Sequence, residues 1–313
     1  MRIVFFGSPE AALPALEALL GAGHEIPLVV TQPDRPAGRG RVPTPCPVKT
    51  YALGHGLPTY EPERIRKDPG AVDRLRAARP EIHIVVAYGQ IMPGPVIDLP
   101  PRRSLNLHFS LLPAYRGASP VSWAIRRGEA LTGVTIFRLN EKMDEGDIFA
   151  SAEEPISPLD TTGSLERRLA VLGAGLLVDT LARLDRITPR PQAHEAATLA
   201  PKLKKEDGRI DWGASPSAVD RHVRSMTPWP SAFTFLETER IIVLTGRPTP
   251  SLGPSATTAE PGTVLSTGRD GILIACGEET YSIVRLQPEG RKAMDAAAWL
   301  AGGRIRAGLR LGA

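Results

Sequence analysis

The first half of the chain alternates apolar runs of strand length with segments of helix length, and this alternation constrains the fold more than any other feature. Arg2–Phe6, Ile26–Val30, Ile82–Val86, Leu105–His108 and Gly133–Leu139 read as strands, with helices expected over Pro9–Leu20, Val48–His55, Gly70–Ala78 and Pro120–Arg127. Such alternation makes a parallel sheet covered on both faces. The expected architecture is therefore α/β, with a Rossmann-like, mostly parallel sheet. Its first turn, Gly7-Ser8-Pro9-Glu10, has no further glycine until Gly21, so it is neither a dinucleotide fingerprint nor a phosphate-cradling loop. Hydride transfer and nucleotide hydrolysis lose their usual support, and Gly7 reads mainly as a tight-turn residue.

The second half follows another rhythm. Thr161–Leu184 reads as one long helix, and the stretch from Asp185 to Lys205, rich in proline, alanine and polar residues, reads as a linker. Beyond a helix near Pro216–Ser225 come short strands at Ala232–Leu236, Ile241–Thr245, Gly262–Ser266, Gly271–Ala275 and Tyr281–Leu286. Short strands separated by glycine turns suggest a small, OB-like β-barrel. The expected organisation is thus a catalytic domain over 1–188, a linker over 189–206 and a barrel domain over 207–313. From the strands alone, the barrel could serve nucleic acid or oligomerisation.

The chemistry concentrates in Leu105-Asn106-Leu107-His108-Phe109-Ser110-Leu111-Leu112-Pro113 and in Asp144-Glu145-Gly146-Asp147. Side chains two apart on a strand share a face, so Asn106 and His108 project together where the chain leaves the sheet, which in a parallel sheet is where ligands bind. A polar donor beside a titratable ring suits a developing oxyanion. The combination fits acyl or formyl transfer, although an isolated Asn-x-His is equally compatible with a satisfied structural pair. No metal-ligand cluster and no hydroxyl-nucleophile motif accompanies it. Cys46 and Cys276 are distant and fit neither a disulfide framework nor a zinc site.

A chain of 313 residues with 42% hydrophobic and 23% charged content is ordinary for a soluble protein. The apolar start Ile3–Phe6 is too short for a signal-peptide core, and no run approaches a membrane span, so a cytoplasmic location is expected. The net charge of +4 is modest, but Arg35, Arg39, Arg41 and Lys49 crowd one loop, and Arg291, Lys292, Arg304, Arg306 and Arg310 crowd the tail. Two basic patches suit an extended polyanion, and they equally suit solvated faces. Trp229, between two prolines, is expected to pack in the core, and Trp123 belongs to its helix. His24, His55, His83, His194 and His222 are expected at surfaces or caps, the last two outside the catalytic half.

These motifs together resemble the folate-dependent formyltransferase family, and within it the methionyl-tRNA formyltransferase branch. Residues 31–40, from Thr31 to Gly40, look like that branch's inserted loop. Val85–Pro93 looks like the folate-pocket strand and turn, and Leu105–Pro120 and Gly133–Ile136, leading to Asp144–Asp147, are shared with the wider family. Arg209–Trp212, Pro228-Trp229-Pro230 and Arg291–Met294 resemble the tRNA-specific branch. Phe109 departs from the smaller residue expected in many relatives and bears on the shape of the pocket.

The resemblance implies transfer of a formyl group from 10-formyltetrahydrofolate to the α-amino group of methionyl-initiator tRNA, with no metal and no obligate protein partner. It assigns Asn106 and protonated His108 as oxyanion donors, with Asp144 holding His108 and relaying a proton. Val86, Ala87, Tyr88, Gly89, Gln90, Ile91 and Met92 would present backbone to the pterin. Ser110, Leu111, Leu112 and Pro113 would close its other side, with Asp147 nearby. The expected tRNA-binding residues are Arg35, Arg39, Arg41, Arg291, Lys292, Arg304, Arg306 and Arg310. A sugar-nucleotide or ribonucleotide formylase would keep Asn106, His108 and Asp144 without needing the basic patches. A decayed RNA-binding scaffold would keep the patches and lose the trio. A cofactor-hydrolysing deformylase is a third alternative, and no amino-terminal extension resembling its regulatory domain is expected.

Overall fold

The apolar runs become central strands because both of their faces are covered. In the computed structural model, which describes residues 1–37, 42–250, 259–302 and 305–312, the chain forms two compact units. The first comprises Met1–Pro120, Leu131–Pro155 and Glu166–Pro201, and the second Val121–Ala130, Ile156–Leu165 and Lys202–Ala313. Arg39, Arg41 and Arg304 lie outside the described residues.

In the first unit, β1 (Arg2–Gly7) and β2 (Glu25–Val30) precede a two-stranded ribbon of β3 (Arg35–Ala37) and β4 (Val42–Thr44). The sheet continues with β5 (Thr59–Tyr60), β6 (Ile82–Val86), β7 (Ser104–His108), β8 (Leu131–Arg138) and β9 (Ile148–Pro155). The seven-stranded order is β5-β2-β1-β6-β7-β8-β9, parallel through β7 and antiparallel over the last two strands. Every residue of β6 is buried, and β1 is buried from Ile3 onward, as a doubly covered sheet requires. The topological switch falls between β1 and β6, so their carboxyl ends, with that of β7, border the ligand-binding crevice of such sheets.

Helices α1 (Leu13–Gly21), α2 (Pro47–Gly54), α3 (Ala71–Ala77) and α4 (Gly94–Ile97) fill the connections, α5 (Pro120–Arg127) follows the β7 loop, and α6 (Thr162–Ala182) is the long leucine-patterned helix. A β-carbon on Gly173 of α6 would lie 2.8 Å from Leu107 of β7. The missing side chain lets the helix press directly behind the strand that carries Asn106 and His108.

In the second unit, Ser215 caps α7 (Pro216–Ser225) by accepting from the Ala218 N–H, with proline in the first turn. Six antiparallel strands follow: β10 (Ala232–Leu236), β11 (Glu239–Thr249), β12 (Val264–Gly268), β13 (Gly271–Ala275), β14 (Thr280–Pro288) and β15 (Met294–Asp295). The short helix α8 (Ala296–Leu300) comes next. The tail then joins the two edge strands. Leu309 accepts from the Val264 N–H, the Leu311 N–H donates to Gly262, and the Gly312 N–H donates to Phe235, each at 2.8 Å. Closure through the tail produces the barrel-like form around Trp212, Val219, Ile241, Tyr281 and Trp299.

Trp229 departs from its expected core position and is 50% exposed. Trp123 is partly buried against the second core. Much of the presumed linker also has a different role: residues 190–200 hydrogen-bond along the first unit at Pro113, Tyr115, Arg116, Ser119 and Ile148.

Candidate active site

The register of the central strands sets the site. Asn106 of β7 lies beside Val85 of β6 and opposite Phe137 of β8, while His108 pairs with Thr135. Asn106 is half-buried, and its carboxamide has no hydrogen-bond partner among the described residues. His108 is buried, and its Nε2 lies 2.9 Å from the Tyr115 carbonyl. A carbonyl only accepts, so Nε2–H donates and Nδ1 is the nitrogen left for chemistry. Nδ1 lies 4.0 Å from Asp144 Oδ2, and that same carboxylate oxygen accepts from the Gly117 N–H at 2.8 Å. A carboxamide and an imidazole thus share one strand face, with a fixed carboxylate across from the ring.

Asp144 occupies the hairpin between β8 and β9 with φ +54°, a conformation that non-glycine residues adopt infrequently. In the same hairpin a β-carbon on Gly146 would sit 1.8 Å from the Arg138 carbonyl. Any larger residue there would push the carboxylate-bearing turn away from β8. Asp147 is less committed, with its side chain half exposed and 4.0 Å from Arg138 Nη1.

The segment after β6 presents main chain to the crevice. Val86 is fully buried in the strand, Tyr88 packs edge-on against Phe6 at 5.4 Å, and Met92 belongs to the core. Gln90 turns back to accept from the Ile65 N–H and donate to the Pro62 carbonyl. Ile91 is 70% exposed. Ala87 and Gly89 take φ +48° and +78°, and the Gln32 side chain donates to the Tyr88 carbonyl while its own N–H donates to Ser8. From Tyr88 to Met92 no main-chain group bonds to other main chain among the described residues. A kinked backbone whose polar groups are not tied to other main chain suits a planar heterocycle whose edge alternates donors and acceptors, so the residues fit a pterin.

The loop after β7 is fixed from beneath. Ser110 donates to the Ala114 carbonyl, and Thr135 donates to the Ser110 carbonyl while accepting from the Leu112 N–H. Leu112 packs with Phe137 and Ile148, Pro113 follows a cis peptide bond, and Leu111 is partly buried. Phe109 is 6% exposed and counts with the core rather than the surface.

Residues 1–181 match the family model described as formyl transferase, and residues 202–304 match the model of the formyl transferase C-terminal domain. The chain belongs to the formyl transferase family. It is 47% identical over 305 residues to the methionyl-tRNA formyltransferase of Chloroflexus aggregans, covering 96% of this chain and 97% of that one. It is 44% identical over 312 residues to the Thermus thermophilus enzyme of the same name, covering 100% and 99%. Two solved structures share the fold. HypX from Aquifex aeolicus in complex with tetrahydrofolic acid has a TM-score of 0.66 at 20% identity, covering 96% of this chain and 47% of HypX. Methionyl-tRNA formyltransferase from Clostridium thermocellum has a TM-score of 0.56 at 16% identity, covering 80% and 94%.

Around this candidate site, sequence reasoning missed several supporting residues. Thr135 was visible only as part of a family motif, and Gln32 only as a member of the arginine-rich loop. Arg116, 5% exposed, contacts Gln192 Oε1, His194 Nδ1 at 3.0 Å and Glu145 at 3.5 Å. His194 therefore belongs to the catalytic unit, contrary to its expected placement. His83 and His222 are buried rather than superficial.

The expected tRNA-binding residues divide. Arg35 is exposed on β3, 3.7 Å from Glu63. Arg291, Lys292 and Arg306 are exposed, whereas Arg310 already pairs with Glu260 at 2.6 Å. Among the described residues no cluster of His, Cys, Asp or Glu could hold a metal, and no helix is long and apolar enough to cross a membrane.

Proposed function

We propose that the enzyme transfers the formyl group of 10-formyltetrahydrofolate to the α-amino group of methionine esterified to initiator tRNA, as a cytoplasmic step of translation initiation. The observation that carries this reading is the imidazole of His108, locked through Nε2 and facing Asp144 through Nδ1, with the half-buried Asn106 carboxamide on the same strand face. The near full-length relatives named methionyl-tRNA formyltransferase support the choice of acceptor.

The folate supplies an activated formyl carbon. The acceptor must attack as the neutral amine, and a free α-amino group titrates at about 8, so orientation contributes more than strong base catalysis. As the new C–N bond forms, Asn106 N–H and, in the protonated ring, His108 Nδ1–H donate to the oxyanion on the formyl carbon. Asp144 accepts the proton released by the amine, directly or through water. Collapse of the adduct breaks the bond to the folate nitrogen, which leaves with the proton that Asp144 received, returned directly or through water. Residues 86–92, 110–113 and Asp147 hold the pterin, and the two basic patches hold tRNA phosphates.

Incubation with 10-formyltetrahydrofolate and either methionyl-initiator tRNA or small amines, followed by product identification, tests the reading. Formylmethionyl-tRNA is expected. Formylation of an amino sugar alone would move the enzyme to another branch of the family.

A further inference from the structure

The polar stretch before residue 201 is threaded onto the active-site loops, and its centre is a side chain with every hydrogen-bonding site engaged. The Ile148 and Arg190 backbones exchange two hydrogen bonds, Thr198 Oγ1 accepts from the Tyr115 N–H, and the Arg116 N–H donates to the Thr198 carbonyl. Between these anchors Gln192 is 5% exposed. Its Nε2 donates to the Asp144 carbonyl at 2.9 Å and the Gly146 carbonyl at 2.7 Å. Its Oε1 accepts from Arg116 Nη2 at 2.7 Å and Nε at 3.2 Å. Two donors and two lone pairs are the whole capacity of a carboxamide.

We infer that Gln192 is a positioning residue for catalysis, holding the Asp144 turn at its working distance from His108; this rests on the reading of Asp144 and His108 given above. The Asp144 turn is the part of the site that most needs holding. Its φ of +54° persists only where the surroundings over-determine the backbone, and Gln192 grips the carbonyls of residues 144 and 146. The Asp144 carboxylate is aimed by the Gly117 N–H, next to Arg116, whose guanidinium Gln192 also holds. One carboxamide therefore joins the loop that carries Asp144 to the loop that aims it and closes on His108 through Tyr115.

Gln192→Met removes all four bonds, and Gln192→Glu keeps an acceptor for Arg116 while replacing the two donors with an oxygen facing two carbonyls. A displacement of about an ångström in a catalytic group can cost on the order of a hundredfold in rate. Both variants should lower kcat by tens- to a hundredfold with the KM values for folate and tRNA within a few-fold of wild type. In an Asp144→Asn background, Gln192→Glu should add almost nothing, because the group it positions is already disabled. A Glu variant with wild-type kcat, a loss confined to KM, or full multiplication of the two defects would each overturn the inference. Wild-type turnover in Asp144→Asn alone would instead remove the reading beneath it.

Discussion

Thr135 offers a substitution in which hydrogen bonding and apolar burial predict opposite orders of stability. Its side chain is completely buried on β8, its hydroxyl donates to the Ser110 carbonyl at 2.7 Å, and the same oxygen accepts from the Leu112 N–H at 3.1 Å. Thr135→Val preserves shape but strands a buried donor and a buried acceptor. Each costs about 1–3 kcal/mol, so the expected loss is about 2–6 kcal/mol. Thr135→Ser keeps both bonds and loses one methyl, for about 1 kcal/mol. Hydrogen bonding thus ranks wild type above Ser above Val, whereas burial alone would rank Val first. Urea unfolding of the three proteins reads the order, and hydrogen exchange over residues 110–115 reads the local effect. The Val variant should lose protection at Leu112 and show a raised folate KM. A Val variant as stable as the Ser variant would refute the account of how this loop is held.

Gly89 has φ +78°, and a β-carbon there would meet Gln32 Nε2 at 3.2 Å, so Gly89→Val, like enlargement at Ala87, should raise the folate KM with little change in tRNA affinity; equal losses for both ligands would indicate a folding defect. Burial depresses the His83 pKa to about 3 from an ordinary 6.5, so the unfolded chain takes up a proton that the native chain refuses. That contribution is full above pH 6.5 and is lost as the pH falls toward about 3, amounting to about 2 kcal/mol between pH 6.5 and 5; urea midpoints should show this slope in wild type and lack it in His83→Leu. Arg306→Ala should flatten the salt dependence of tRNA binding by about one contact's share, a slope change near 0.9. Arg310→Ala should flatten it less, because Glu260 already neutralises that guanidinium; equal slopes for the two variants would contradict this.

Periodicity was enough to read the parallel half of the sheet, because β1 and β6 are apolar on both faces and bounded by turns. It did not reveal β9, whose sequence Ile148–Pro155 mixes acidic and apolar residues because much of the strand is only partly buried. Barrel strands were legible from their glycine turns, but their closure depends on Leu309, Leu311 and Gly312 acting through backbone, which leaves no side-chain signature. That Asn106 and His108 share a strand face could be read from their i, i+2 spacing. Arg116 and Gln192 could not be paired from sequence because 76 residues separate them and a proline-rich stretch carries one of them. Trp229 misled because its flanking prolines and aromatic ring suggest burial, whereas half of its surface is exposed.

The most direct test of the central claim is single-turnover formylation of methionyl-initiator tRNA by saturating enzyme and 10-formyltetrahydrofolate, comparing wild type with Asp144→Asn and His108→Ala. In the proposed mechanism both residues act on charge that develops mainly in the transition state, so their loss should leave tRNA binding close to wild type while slowing the chemical step on the order of a hundredfold or more. Asn106→Asp should be similarly slow, since it sets a carboxylate against the oxyanion. A chemical step within a few-fold of wild type in either the Asp144 or the His108 variant, with both substrates bound, would contradict the account.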